Sequence, residues 1–183
     1  LDSLACVKAV DIKKVKRIMD VGTGAGFPGV PLKIAFPHLE ACLLDSLKKR
    51  VNFLEETFDI LKLTDITAVH GRAEEYARNK AYRESFDLCV SRAVSNLATL
   101  SEYCLPYVKV GGSFISYKSG TVQEEAEQAE KAVKILGGKI KDVVYFSLPD
   151  SEIQRSLVVI EKVKSTPGKY PRKAGTPLKE PLV

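Results

Sequence analysis

Short, nearly continuous apolar runs alternate with helical patterns along most of this 183-residue chain. Parallel strands cannot be joined by tight turns, so this rhythm predicts βαβ units, with a parallel sheet and helices on both of its faces. Five runs read as strands buried on both faces: 17–21, 40–45, 66–70, 86–91 and 113–118. The helices expected between them cover 30–36, which Pro37 ends, then 47–61, 94–107 and 121–136. Leu47, Val51, Leu54, Phe58 and Leu61 share one face of the second helix, and "QEEAEQAEKAVK" gives the last a charged, solvated face. Gly137 and Gly138 break that helix, and 141–146 with 156–163 reads as a closing antiparallel hairpin. The expected architecture is a seven-stranded, mostly parallel Rossmann-like α/β sheet. The tail "STPGKYPRKAGTPLKEPL" is too rich in Pro, Gly and Lys for regular structure.

One connection differs from the rest. "DVGTGAGFPG", Asp20 to Gly29, packs four glycines into ten positions between the first strand and the first helix. Such a turn lets the backbone approach a ligand closely, and the amides and positive helix end beyond it favour an anionic or polar group. A dinucleotide phosphate and an amino-acid carboxylate both answer that description. The dinucleotide fingerprint G-x-G-x-x-G places its third glycine at position 27, where this chain has Phe27. The spacing present is Gly22, Gly24, Gly26, preceded by Asp20 at the strand end. A carboxylate there suits a ligand with an ammonium group beside its carboxylate, which S-adenosylmethionine carries and NAD lacks. A tight turn with no ligand remains the plain alternative.

The second strand ends in Asp45, about 20 residues past the glycines, where nucleoside-binding α/β folds place an acid for the ribose hydroxyls. Asp45 before Ser46 is also suited to capping the next helix. "HGRAEEY" follows the third strand, so Ala73 and Glu74 are candidates to face an adenine, although Glu74 and Glu75 also suit a helix start. The fourth strand, "FDLCVSRAVS", ends without the Asn/Asp-Pro-Pro-aromatic turn common in enzymes that methylate exocyclic amines. Carbon-5 pyrimidine methylation needs a cysteine presented on a loop, whereas Cys89 falls within a strand and Cys104 within a helix. Arg92 stands at that strand end, placed to contact cofactor or RNA, or to cap the sheet with an ion pair.

Net charge is +5, and its distribution is uneven. Six basic residues and no acidic one lie from Lys162 to Lys179, while the remainder of the chain is close to neutral. That asymmetry points to a polyanionic partner. Cys6, Cys42, Cys89 and Cys104 form no CxxC pair and sit mostly in apolar runs, as buried thiols do in a reducing compartment, so a cytoplasmic protein is expected. No apolar stretch approaches the ~20 residues of a membrane span.

Taken together, "DVGTGAGFPGVPLKI", "DSLKKRVNFLEE", "GRAEEY", "FDLCVSRAV" and "STPGKYPRKAGTP" resemble the bacterial 16S ribosomal RNA methyltransferase family RsmG, also called glucose-inhibited division protein B. The resemblance runs in order across nearly the whole chain, and "GFPG" and "KYPRKAGTP" are its most specific parts. It implies a Rossmann-like class I methyltransferase using S-adenosylmethionine, acting on N7 of a guanine in the 530 loop of 16S rRNA. The family's cofactor contacts fall on Gly22, Phe27, Ala73, Glu74 and Arg92, beside which Gly24 and Asp45 are candidates from the turn and strand end. "LDSL" matches the end of a family His-x-x-Asp-Ser-Leu segment, so residues 1–163 are expected to form the methyltransferase domain with part of its helical start outside this sequence. Residues 164–183 form the basic tail. Candidates for RNA phosphate are Lys118, Arg155, Lys169, Arg172 and Lys173, with Tyr170 placed to stack on an unpaired base. No catalytic side chain is assigned, and a monomer is expected. A methyltransferase of a non-RNA acceptor, or a nucleoside- or RNA-binding module without chemistry, are the competing readings.

Overall fold

The computed structural model describes residues 1–92, 95–150 and 152–182. Strands β1 (Arg17–Val21), β2 (Glu40–Asp45), β3 (Ile66–His70), β4 (Phe86–Ser91), β5 (Val108–Ser119), β6 (Gly138–Ser147) and β7 (Gln154–Lys162) form one sheet in the order β3-β2-β1-β4-β5-β7-β6. The first five are mutually parallel, and β7 runs antiparallel to both of its neighbours. The first four strands have the bounds their apolar runs predict. β3, however, lies at the sheet edge and is only half buried, so it is not enclosed on both faces as expected.

Helices cover both faces. α1 (Gly29–Ala35) and α2 (Lys48–Ile60) pack Leu32, Leu54 and Phe58 against Ile18, Leu43, Leu88 and Ile115 on one side. α4 (Leu97–Cys104) and α5 (Gln123–Ile135) pack Leu97, Leu100, Ala129 and Val133 against Met19, Cys89, Phe114 and Ile160 on the other. The short α3 (Ala73–Tyr76) follows β3. Alternate residues of each central strand feed opposite faces, which is why these strands read as continuous apolar runs. The helix expected over 94–107 is shorter: Asn96 caps α4 by accepting from the Thr99 amide at 2.9 Å, and Pro106 passes the chain into a 3-10 turn. Proline lacks the N–H an α-helix needs and clashes with the preceding turn. The proposed start at Val94 lies outside the described residues. All four cysteines are buried and free.

The C-terminal segment folds back over the α4 face instead of leaving the domain. It carries one short helix, α6 (Thr176–Lys179), which its composition did not suggest. Lys162, fully buried, donates to the Leu105 and Val108 carbonyls at 2.6 and 3.0 Å and to Thr166 Oγ1 at 2.8 Å. Arg83 donates to the Thr166 and Tyr170 carbonyls at 2.8 and 2.9 Å, and Tyr170 joins the core at 8% exposure. The last segment is therefore a strap with its own buried anchors.

Candidate functional site

The C-terminal ends of the parallel strands, where ligands bind in open α/β sheets, carry two adjoining clefts. The first, about 550 Å³, is lined by Gly22, Gly24 and Phe27 from the β1–α1 turn, by Asp45, by Ala73 and Glu74, and by Ser91 and Arg92. All seven residues expected to contact a cofactor thus converge on one cavity.

Two glycines of the turn are needed for different reasons. Gly24 has φ +63°, and a β-carbon there would meet no atom within 4 Å, so the bare backbone opens onto free space while its amide donates to Asp45 Oδ2 at 2.9 Å. Gly29 serves packing: a β-carbon would sit 2.8 Å from Asp20 Oδ2 and 2.9 Å from Leu43, so only glycine lets α1 lie against the sheet. Asp20 lies beneath the turn and not on the wall of the cleft, which disfavours direct contact with a ligand ammonium. It is 1% exposed, and its Oδ2 accepts from Thr23 Oγ1 at 2.7 Å and from the Gly29 amide at 2.8 Å. Burial raises its pKa to about 6 against the opposing pull of those two bonds. Asp20 is the staple of the turn.

Asp45 is not the cap of the next helix, but its carboxylate lines the cleft. Its Oδ1 accepts from the Leu47 amide at 2.9 Å, an Asx turn just ahead of α2, whose N-cap is Leu47 with no side-chain cap, and Oδ2 takes Gly24 and Arg50 Nη1, the latter at 3.2 Å. A carboxylate has about four acceptor positions, so one remains for a hydroxyl in the cleft. Arg50 was not singled out by its sequence position. A cation in the first turns of the helix following an acidic strand end is the signal that could have found it. Glu74, 4% exposed, accepts from the Gly175 amide at 2.9 Å, so the strap reaches this cleft. Tyr107 Oη donates to the Ala73 carbonyl at 2.7 Å and fixes the start of α3.

Arg92 stands between the clefts. Its guanidinium lies 5.4 Å from the centre of the Phe27 ring and 3.4 Å from Asp2 Oδ2. The second cleft, about 590 Å³, is lined by Asp2, Arg92, Lys118, Glu125 and Arg155 among others. Lys118 is not a free phosphate contact: its Nζ donates to Glu125 Oε1 at 2.7 Å and to the Ser95 carbonyl at 3.0 Å, bracing the cleft. Arg155 Nε lies 3.6 Å from Asp2 Oδ1.

Two tail assignments need correction. Arg172 is withdrawn from solvent by Glu102, which is 0% exposed and accepts from the Arg172 amide at 2.7 Å, from Nε at 3.0 and 3.1 Å and from Nη2 at 2.7 Å. Tyr170 is buried and cannot stack on a base without leaving the core. Lys169 and Lys173 remain exposed. Among the described residues no helix is long and apolar enough to cross a membrane.

Comparison with known proteins agrees with this geometry. Among solved structures, the StiE O-MT fragment 942–1257 superimposes with a TM-score of 0.67 at 17% identity, covering 87% of this chain and 73% of that one. The S-adenosylmethionine-dependent methyltransferase SibL gives 0.64 at 15% identity, covering 88% and 55%. TrmN from Thermus thermophilus gives 0.64 at 15%, covering 88% and 48%. The fold is that of class I S-adenosylmethionine-dependent methyltransferases. In sequence, the Ribosomal RNA small subunit methyltransferase G of Lachnoclostridium phytofermentans is 57% identical over 183 residues, spanning all of this chain and 76% of that protein. Its namesake from Alkaliphilus oremlandii is 54% identical over 182 residues, spanning 100% and 76%. The family described as rRNA small subunit methyltransferase G matches residues 1–158. Identity of this order along the whole length, together with the family match over residues 1–158, means that the chain belongs to the rRNA small subunit methyltransferase G family.

Proposed function

We propose that this protein transfers a methyl group from S-adenosylmethionine to N7 of a guanine in the 530 loop of 16S rRNA, in the small ribosomal subunit, acting in the cytoplasm as a monomer. The observation that carries the reading is the pair of clefts meeting at Arg92: one lined by the glycine turn and two buried carboxylates, the other opening beside Arg155. The first suits S-adenosylmethionine in volume, in the bare backbone at Gly24 and in the free acceptor position on Asp45. Gly22, Gly24, Phe27, Asp45, Ala73, Glu74 and Arg92 would hold it.

S-adenosylmethionine supplies a methyl group made electrophilic by its sulfonium. Neutral guanine N7 has a free lone pair, so no proton has to be removed and no side chain has to act as base. The protein's contribution is then to bring donor and acceptor into line and to exclude water. Arg92, fixed by Asp2 and lying over Phe27, forms the boundary across which transfer takes place. The methylated purine becomes cationic. Exposed Lys169 and Lys173, with Arg155, supply phosphate contacts that position RNA without reading its sequence.

The test is transfer of labelled methyl from S-adenosylmethionine to small ribosomal subunits from cells lacking this gene, followed by mapping of the modified base. Label at N7 of a 530-loop guanine supports the assignment. Cofactor binding with no label on any subunit guanine overturns it.

A further inference from the structure

We propose that the C-terminal strap is a wall of the cofactor cleft, and that Leu178 is a cofactor-binding residue of it, so that the strap sets affinity for S-adenosylmethionine. The proposal rests on the assignment of the first cleft to that cofactor.

Gly175 and Leu178 line the same cavity as Gly24, Asp45 and Arg92, although they lie more than 80 residues beyond Arg92 in sequence. Three attachments hold them there. The Gly175 amide supplies a hydrogen bond to the buried Glu74 carboxylate. Arg172, three residues earlier, grips Glu102 through its backbone and its guanidinium together. Two residues later, the carbonyl of buried Pro177 accepts from Thr99 Oγ1 at 3.0 Å. Beyond it, the Glu180 carbonyl accepts from Arg172 Nη2 at 2.7 Å, so Leu178 is bracketed by Pro177 and Glu180 and projects at 59% exposure onto the cleft rim. A leucine held there by its neighbours gains by being covered, and a nucleoside face in the cleft would cover it. The arrangement also accounts for Glu74, whose carboxylate the strap satisfies and thereby keeps oriented toward the cavity.

Because Leu178 is largely exposed, Leu178→Ala removes the rim contact without opening the core. The experiment is calorimetric titration of S-adenosylmethionine into the full chain and into Leu178→Ala and Leu178→Met, with denaturation midpoints and steady-state kinetics on the same samples. Amide exchange across 174–180 is followed in the wild-type chain with and without cofactor. The expected result is an affinity weakened about five- to tenfold in Leu178→Ala and largely restored in Leu178→Met, with the change falling on KM for cofactor rather than on kcat. Midpoints should be unchanged, and exchange in 174–180 should slow when cofactor is added. Wild-type binding with Leu178→Ala within twofold of it, and exchange unaltered, would overturn the strap's role and leave the cofactor assignment standing. Failure of the wild-type chain to bind S-adenosylmethionine would overturn the cofactor assignment itself, and the strap's role with it.

Discussion

Replacing Arg172 with alanine separates two accounts of the basic tail. In the structure its partner, Glu102, is 0% exposed and receives four hydrogen bonds from Arg172, three of them from the side chain. Arg172→Ala keeps only the amide bond and leaves a buried carboxylate without its countercharge, a change that costs about 3–5 kcal/mol in comparable pairs. The surviving amide bond argues for the lower end, about 3 kcal/mol, which for a domain of this size corresponds to a melting temperature lower by about 6–12 °C. Adding Glu102→Gln to Arg172→Ala removes the stranded charge and should recover about 1–2 kcal/mol, since an unpaired amide is cheaper to bury than an unpaired carboxylate. Thermal and urea unfolding of the wild type, both single variants and the double variant complete the cycle. An Arg172→Ala protein that unfolds within about 1 kcal/mol of wild type, yet shows a weaker salt dependence of RNA binding, would refute this reasoning and return Arg172 to the RNA interface.

Three other outcomes are expected. Asp20 has a folded-state pKa of about 6 against an ordinary value of 3.8, so the folded chain holds this proton more tightly than the unfolded one. Its contribution is therefore fully present below about pH 4 and is lost as pH rises through 6, a difference of about 3 kcal/mol that Asp20→Asn should flatten in denaturation profiles between pH 4 and 8. Neutralising Lys169 and Lys173 together should weaken RNA binding and make the slope of log K against log salt shallower by about 0.7 for each phosphate no longer neutralised, read by filter binding, with cofactor affinity unchanged. Asp45→Ala removes the acceptor shared by Gly24, Leu47 and Arg50, so titration should show cofactor affinity falling at least tenfold, on the order of 1.4 kcal/mol.

The parts of this molecule that could be read in advance are those whose causes are local. β1, β2 and β4 are enclosed between two layers of helices, so their apolar runs are continuous and their bounds clear. The glycine turn announces itself because a left-handed backbone at Gly24, φ +63°, and tight packing at Gly29 both favour glycine. What resisted reading depends on partners distant in the chain. Arg172 meets Glu102 across 70 residues, and nothing near either one marks the pairing. The insertion of β7 between β5 and β6 is marked only by the contrast between the continuous, buried run 157–160 and the interrupted, more exposed β6. Asp20 is ambiguous in sequence for a related reason: the position that suits a ligand ammonium equally lets its carboxylate bind the turn from beneath.

The cofactor cleft takes Gly24 from one loop, Asp45 from a strand end, Glu74 from a short helix, Arg92 from another strand end and Leu178 from the strap. No contiguous stretch of chain contains more than a fraction of it, so the cavity exists only when the whole assembly does. Anything that binds there draws population away from every partly opened form, and at a hundredfold excess over its dissociation constant the gain is about 2.7 kcal/mol. Proteolysis acts on those opened forms, so cellular supply of the ligand would govern the lifetime of each molecule as well as its turnover.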